Sequence, residues 1–148
     1  MIGRGRGPDA PPPARYHGGM PVIRNQDIEE GRRCFLDCQA AFAAGTQDGL
    51  SRHAIAMATR YSLRVLEKAA PGPSVEVRVA PWGAVKILPG PDSDPHNLTP
   101  PDVVEISPTT WLALATGALS WEDAKTEGQV DTIGERDDLV ARFLPIQA

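Results

Sequence analysis

The hydrophobic period of this chain changes at Ala70-Pro71-Gly72, and that change limits the fold more than any other feature of the sequence. Before it, apolar residues recur at helical spacing. After it, they alternate. Ile28, Gly31, Phe35, Cys38 and Phe42 form one helical stripe, with Asn25 or Asp27 placed to cap its start and Gly45 to end it. Ala54, Ala58, Tyr61, Val65 and Ala69 form a second stripe, widened by Ile55, Met57 and Leu66, behind the N-cap Ser51. The residue before a proline is pushed out of the helical region, so this helix stops at Ala70.

Val75-Glu76-Val77-Arg78-Val79 then alternates as a strand half-buried on one face, and Trp82 to Leu88 reads as a second strand antiparallel to it. Asp102 to Ile106 makes a third strand and Val130 to Ile133 a fourth. Ser107-Pro108 opens a helix that ends at Gly117, Ser120 opens a shorter one closed by Gly128, and Leu139 to Leu144 forms a last short helix. Helices and strands are grouped instead of alternating, which predicts an α+β fold with a mostly antiparallel sheet. Aromatic residues make up only 5% of the chain, so Val, Ile, Leu and Ala must build the core.

Residues 1–24 lack this patterning. They carry Arg4, Arg6, Arg15 and Arg24 against Asp9 alone, with Pro11-Pro12-Pro13 and Gly18-Gly19 between them. Such a stretch buries too little to offset its chain entropy, so it is expected to be a disordered basic tail. Met20 offers a second start of translation. The expected organisation is therefore a tail at 1–24, two helices at 25–70 and an α+β region at 71–148, with 25–148 forming one body.

Charge and chemistry exclude more than they assign. The net charge of −4 argues against nucleic acid as the partner. No apolar run is long enough to span a membrane, and no secretory h-region opens the chain, which predicts a cytoplasmic protein. Cys34 and Cys38 are spaced as one helix face, not as a C-x-x-C pair, and read as small buried hydrophobes. Pro91-Asp92-Ser93-Asp94-Pro95-His96-Asn97 begins like a calcium loop. Asn97 stands where such a loop needs glycine, and Val103 where it needs a bidentate glutamate. His17, His53 and His96 have no ligand-spaced partners, and a Cys34–His53 pair lacks an orienting acid nearby in the sequence pattern. Neither a metal site nor a catalytic site is expected. The surplus is apolar: Trp111 to Ala115 is an all-apolar helical run, whose far side must meet the N-terminal helices, an apolar ligand or a second subunit.

Pro108-Thr109-Thr110-Trp111-Leu112-Ala113-Leu114-Ala115-Thr116-Gly117-Ala118-Leu119-Ser120-Trp121-Glu122-Asp123-Ala124, followed by Gly128-Gln129-Val130 and Gly134, resembles the C-terminal half of the sterol carrier protein 2 family. Ala70-Pro71-Gly72, Ser74 to Val79 and Thr99 to Glu105 are similar to the small actinobacterial branch of that family, where asparagine is usual at the position of Asp102. The resemblance spans about residues 51–145. It implies four or five strands covered by helices and a tunnel for acyl chains or another lipid, in a non-enzymatic carrier without metal or cofactor. Fatty acyl chains are expected ahead of sterols. On that reading the pocket would be lined by Trp82, Val85, Ile87, Trp111, Leu114, Leu119, Trp121 and Phe143. The alternative is an interaction protein with a closed core, a homodimer or the partner of an enzyme, that holds no ligand.

Overall fold

A computed structural model describes residues 20–90 and 100–148, so the tail at 1–19 and the acidic loop at 91–99 lie outside the described residues. The order of elements is α1 (Ile28–Ala44), α2 (Arg52–Ala69), β1 (Pro71–Val79), β2 (Gly83–Ile87), β3 (Asp102–Ile106), α3 (Pro108–Thr116), α4 (Trp121–Thr126) and β4 (Val130–Ile133). Short 3-10 turns precede α1 and α2, and a longer one, Asp137–Phe143, replaces the expected last helix.

The serines start three helices as the sequence indicates. The side chains of Ser51, Ser107 and Ser120 accept hydrogen bonds from the backbone N–H groups of Ala54 at 3.0 Å, Thr110 at 3.3 Å and Asp123 at 3.1 Å. Asp27 occupies the N-cap of α1 without a capping bond, because its carboxylate is taken by Arg24 Nε at 2.8 Å. Gly117 ends α3 at φ +89°, a left-handed conformation that side chains resist.

Four strands form one sheet in the order β2-β1-β3-β4. The β1–β2 and β3–β4 pairs are antiparallel, as the expectation of a mostly antiparallel sheet has it, while β1 and β3 at the centre are parallel. Alternation fixes which side chains face the core but not which edge of β1 receives the third strand. Val75, Val77, Val79, Val85, Ile87, Val104 and Ile106 all turn to one face and are buried. The other face carries Glu76 opposite Lys86 and Arg78 opposite Glu105, opposite charges on neighbouring strands.

All of this apolar face lies under helices. α2 packs against β1 and β2, α1 packs on α2, and α3 packs against both. The expected stripe on α2 is therefore too narrow. Ala56, Thr59, Ser62 and Leu63 are buried as well, since α2 has neighbours on more than one side, whereas Ala69 at its end is exposed. Gly31 lets α1 approach α2 closely: a Cβ there would stand 3.0 Å from Tyr61 Cβ and 2.8 Å from Ile23 Cδ1. Ile23, near the end of the stretch read as tail, is buried against this crossing.

Candidate ligand groove and its surroundings

The Trp111–Ala115 run divides its side chains between two surroundings. Trp111, Leu112, Leu114 and Ala115 are buried, and Trp111 is held by a polar pin: its indole Nε1 donates to Ser62 Oγ on α2 at 2.8 Å, while that hydroxyl donates to Ala58 O at 2.8 Å. This indole is 0% exposed and packed within the core. Ala113 is half-buried and faces outward into a groove.

That groove has a volume of about 640 Å³, within the ~300–1,000 Å³ usual for small-molecule sites. Phe42 from α1, Leu50 and Ile55 around the start of α2, Leu112 and Ala113 from α3, and Ala118 and Leu119 beyond it form the apolar walls. Gln47, Asp48, Thr109, Thr110, Glu127 and Gln129 supply the polar positions. Both charged groups among the lining residues are acids. Gln47 Oε1 is buried without a hydrogen-bond partner, and the residue belongs to the groove wall.

The eight residues expected to line a pocket lie in different places. Val85, Ile87, Trp111 and Leu114 are fully packed core residues beneath the helices. Leu119 lines the groove. Phe143 lines a second, smaller cavity of about 350 Å³ with Val65, Leu66, Ala69, Leu144 and Ile146. Trp82 is half-buried between two guanidinium groups, Arg52 at 4.9 Å and Arg60 at 5.5 Å from its ring. Trp121 is half-buried, and its indole N–H donates to Asp138 at 2.7 Å. Phe42, Leu50 and Ile55 were absent from the expected lining because a helical stripe by itself signals burial, and a groove wall and a core wall look alike in sequence.

Two ionic clusters involve the segment that follows β4. Asp102, the first residue of β3, accepts from the Glu135 and Arg136 amides at 3.2 and 2.8 Å and from Arg136 Nε and Nη2, both at 3.0 Å. The Arg136 guanidinium holds this carboxyl below its ordinary range. Lys125 on α4 pairs with the buried Asp137, and that hydrogen bond raises the lysine.

The two cysteines are free and buried. Burial pushes the Cys38 thiol up to about 11 and raises Cys34 as well, with Glu30 adding to the second shift. An acid does stand beside His53, contrary to the expectation from sequence: Glu30 Oε2 lies 2.6 Å from its Nε2. Glu30 precedes Cys34 by one helical turn, so the i,i+4 spacing on α1 carries that signal, and only the packing of α2 supplies the histidine.

A one-sided sheet under three mutually packed helices, with a groove where those helices meet the α4 region, defines an α+β domain. A family model described as the bacterial SCP ortholog matches residues 51–146, and the chain belongs to that sterol carrier protein-like family. The match covers α2 and everything after it, leaving α1 outside. No protein with a curated description matches the chain. Among the described residues, no helix is long and apolar enough to cross a membrane.

Proposed function

We propose that this protein is a non-enzymatic carrier that takes a lipid or another apolar small molecule in the groove between α1, α2 and α3. The observation that carries this reading is the groove itself, a trough of about 640 Å³ with apolar walls, whose polar groups are acids, amides and hydroxyls. Family membership supports a carrier of apolar ligands in general. The lining goes further. Asp48 and Glu127 repel an anionic head, and carboxylates, hydroxyls and amides of the lining can accept from a donor. The best ligand is thus an acyl or other apolar chain ending in a hydroxyl, amide or amine, with a free fatty-acid carboxylate a poor match. Leu119 is the member of the expected lining that this groove uses, whereas Trp111 and Leu114 are packed in the core.

Titration with a neutral fluorescent apolar probe tests the proposal, with a long-chain alcohol and the acid of equal chain length as competitors. The alcohol should displace the probe at a concentration at least tenfold lower than the acid, about 1.4 kcal/mol of discrimination. Ala113→Trp, which fills the trough from its half-buried side, should weaken probe binding while leaving the far-UV circular dichroism unchanged. Absence of probe binding, or binding indifferent to Ala113→Trp, would transfer the groove to the second reading. That reading, an interaction protein or homodimer whose groove receives a partner's side chains, draws its support from the same closed core. Native mass spectrometry would then show a dimer or bound protein and no retained lipid.

A further inference from the structure

Away from the groove's lining, the start of α2 brings His53 against the exposed-to-buried edge of α1. Glu30, Cys34 and His53 each present one ligand atom there, and those atoms all lie within 4.8 Å of one another. Glu30 and Cys34 are one turn apart on a single helix face, while His53 arrives from the second helix across the crossing. Carboxylate, thiol and imidazole together are the donor set of a borderline-soft divalent ion, and the sulfur excludes a calcium or magnesium preference. Zinc bonds of ~2.0–2.3 Å arranged tetrahedrally put ligand atoms ~3.4–3.6 Å apart. Reaching that geometry asks the outermost pair to close by ~1 Å and the Glu30–His53 pair, now at 2.6 Å, to open by about as much. The His53 side chain is 65% exposed and that of Glu30 40%, so both ends are free to swing, and Cys34 on its helix supplies the fixed point.

We propose that Glu30, Cys34 and His53 bind a zinc-type divalent ion that clamps α1 to the first turn of α2. Three protein ligands leave one tetrahedral position for water, the arrangement of an open site. On binding, a metal–sulfur bond replaces the Cys34 S–H bond and that proton goes to solvent. The His53–Glu30 hydrogen bond opens, and the neutral imidazole keeps its proton on the ring nitrogen that does not face the ion. No oxidation change occurs. A nucleophilic cysteine fits the same cluster less well. Neither the groove nor the smaller cavity described above is lined by Cys34. The ion would also bear on the groove indirectly, since His53 stands two residues before the wall residue Ile55. The proposal does not depend on the groove holding a ligand.

Cobalt(II) titration of the full chain, kept reduced with a phosphine, reads the site directly. A thiolate-to-cobalt charge-transfer band with tetrahedral ligand-field bands should appear at one equivalent and disappear on adding zinc, and zinc should raise Tm. Glu30→Gln and His53→Ala alter exposed side chains and should each weaken cobalt binding at least ~10-fold, which is the low end for losing even an outer partner of a metal ligand. Cys34→Ser should abolish the charge-transfer band. A band that survives His53→Ala and Glu30→Gln at full affinity would mean adventitious binding by a cysteine alone and would overturn the site. So would a band that survives Cys34→Ser, or a wild-type chain that gives no band and no zinc-dependent shift in Tm.

Discussion

Ser62 shows how much a single hydroxyl decides here. It sits mid-helix in α2, fully buried, and serves two partners at once: its hydroxyl donates to Ala58 O, and its oxygen accepts the indole N–H of Trp111. Serine is an indifferent helix former, so nothing local recommends it there. Its value comes from a partner 49 residues further along the chain. Ser62→Ala leaves a buried indole N–H without an acceptor and should destabilise the fold by about 1–3 kcal/mol in urea denaturation. Ser62→Thr retains the oxygen and should recover part of that loss; equal losses for the two variants would assign the effect to packing instead of the hydrogen bond.

At the scale of elements, α3 shows why a helix that is apolar all round need not line a tunnel. Its nine residues, Pro108–Thr116, start at a capped Ser107-Pro108 pair and stop at left-handed Gly117. Within that length Leu114 points into the packed core at 1% exposure, while its neighbour Ala113 borders the groove. Substituting tryptophan at the two positions should therefore have opposite consequences. Leu114→Trp overfills a closed core and should cost about 1–3 kcal/mol. Ala113→Trp places its ring in open groove volume and should leave Tm within about a degree of the wild type. Thermal unfolding of the two variants side by side checks this, and comparable losses would mean that the groove is closed in solution. The α1–α2 crossing rests on an equally local feature, the missing side chain of Gly31 beneath Tyr61 and Ile23.

For the whole molecule, Asp102 ties the start of β3 to the turn that follows β4, closing the far edge of the sheet. Because the folded state holds this carboxyl below its ordinary range, its contribution is complete above the unfolded carboxylate range near pH ~3.9 and is lost as pH falls through the lower folded value. Asp102→Asn keeps one acceptor oxygen but gives up the charge. The variant should be less stable by roughly 1–2 kcal/mol at pH 7, and the two proteins should converge in acid, where the wild-type carboxyl is protonated as well. A gap of constant size from neutral pH down to acid would show that the charge contributes nothing.

Sequence alone determined the α-helices and strands, though not the 3-10 segment that stands where a last helix was expected. Serine caps, the glycine after α3 and the proline after α2 act on their immediate neighbours, and alternation of Val75, Val77 and Val79 fixes the buried face whatever the sheet's order. Family motifs at residues 51–146 are local in the same sense. The parallel placement of β3 beside β1, the burial of Ser62 and Leu63, and the meeting of His53 with Glu30 and Cys34 are tertiary decisions. Each depends on which surfaces come together after the elements have formed, and hydrophobic periodicity records that a side chain is buried without recording against what. For the same reason Leu119 and Leu114 read alike in the sequence, although one lines the groove and the other fills the core.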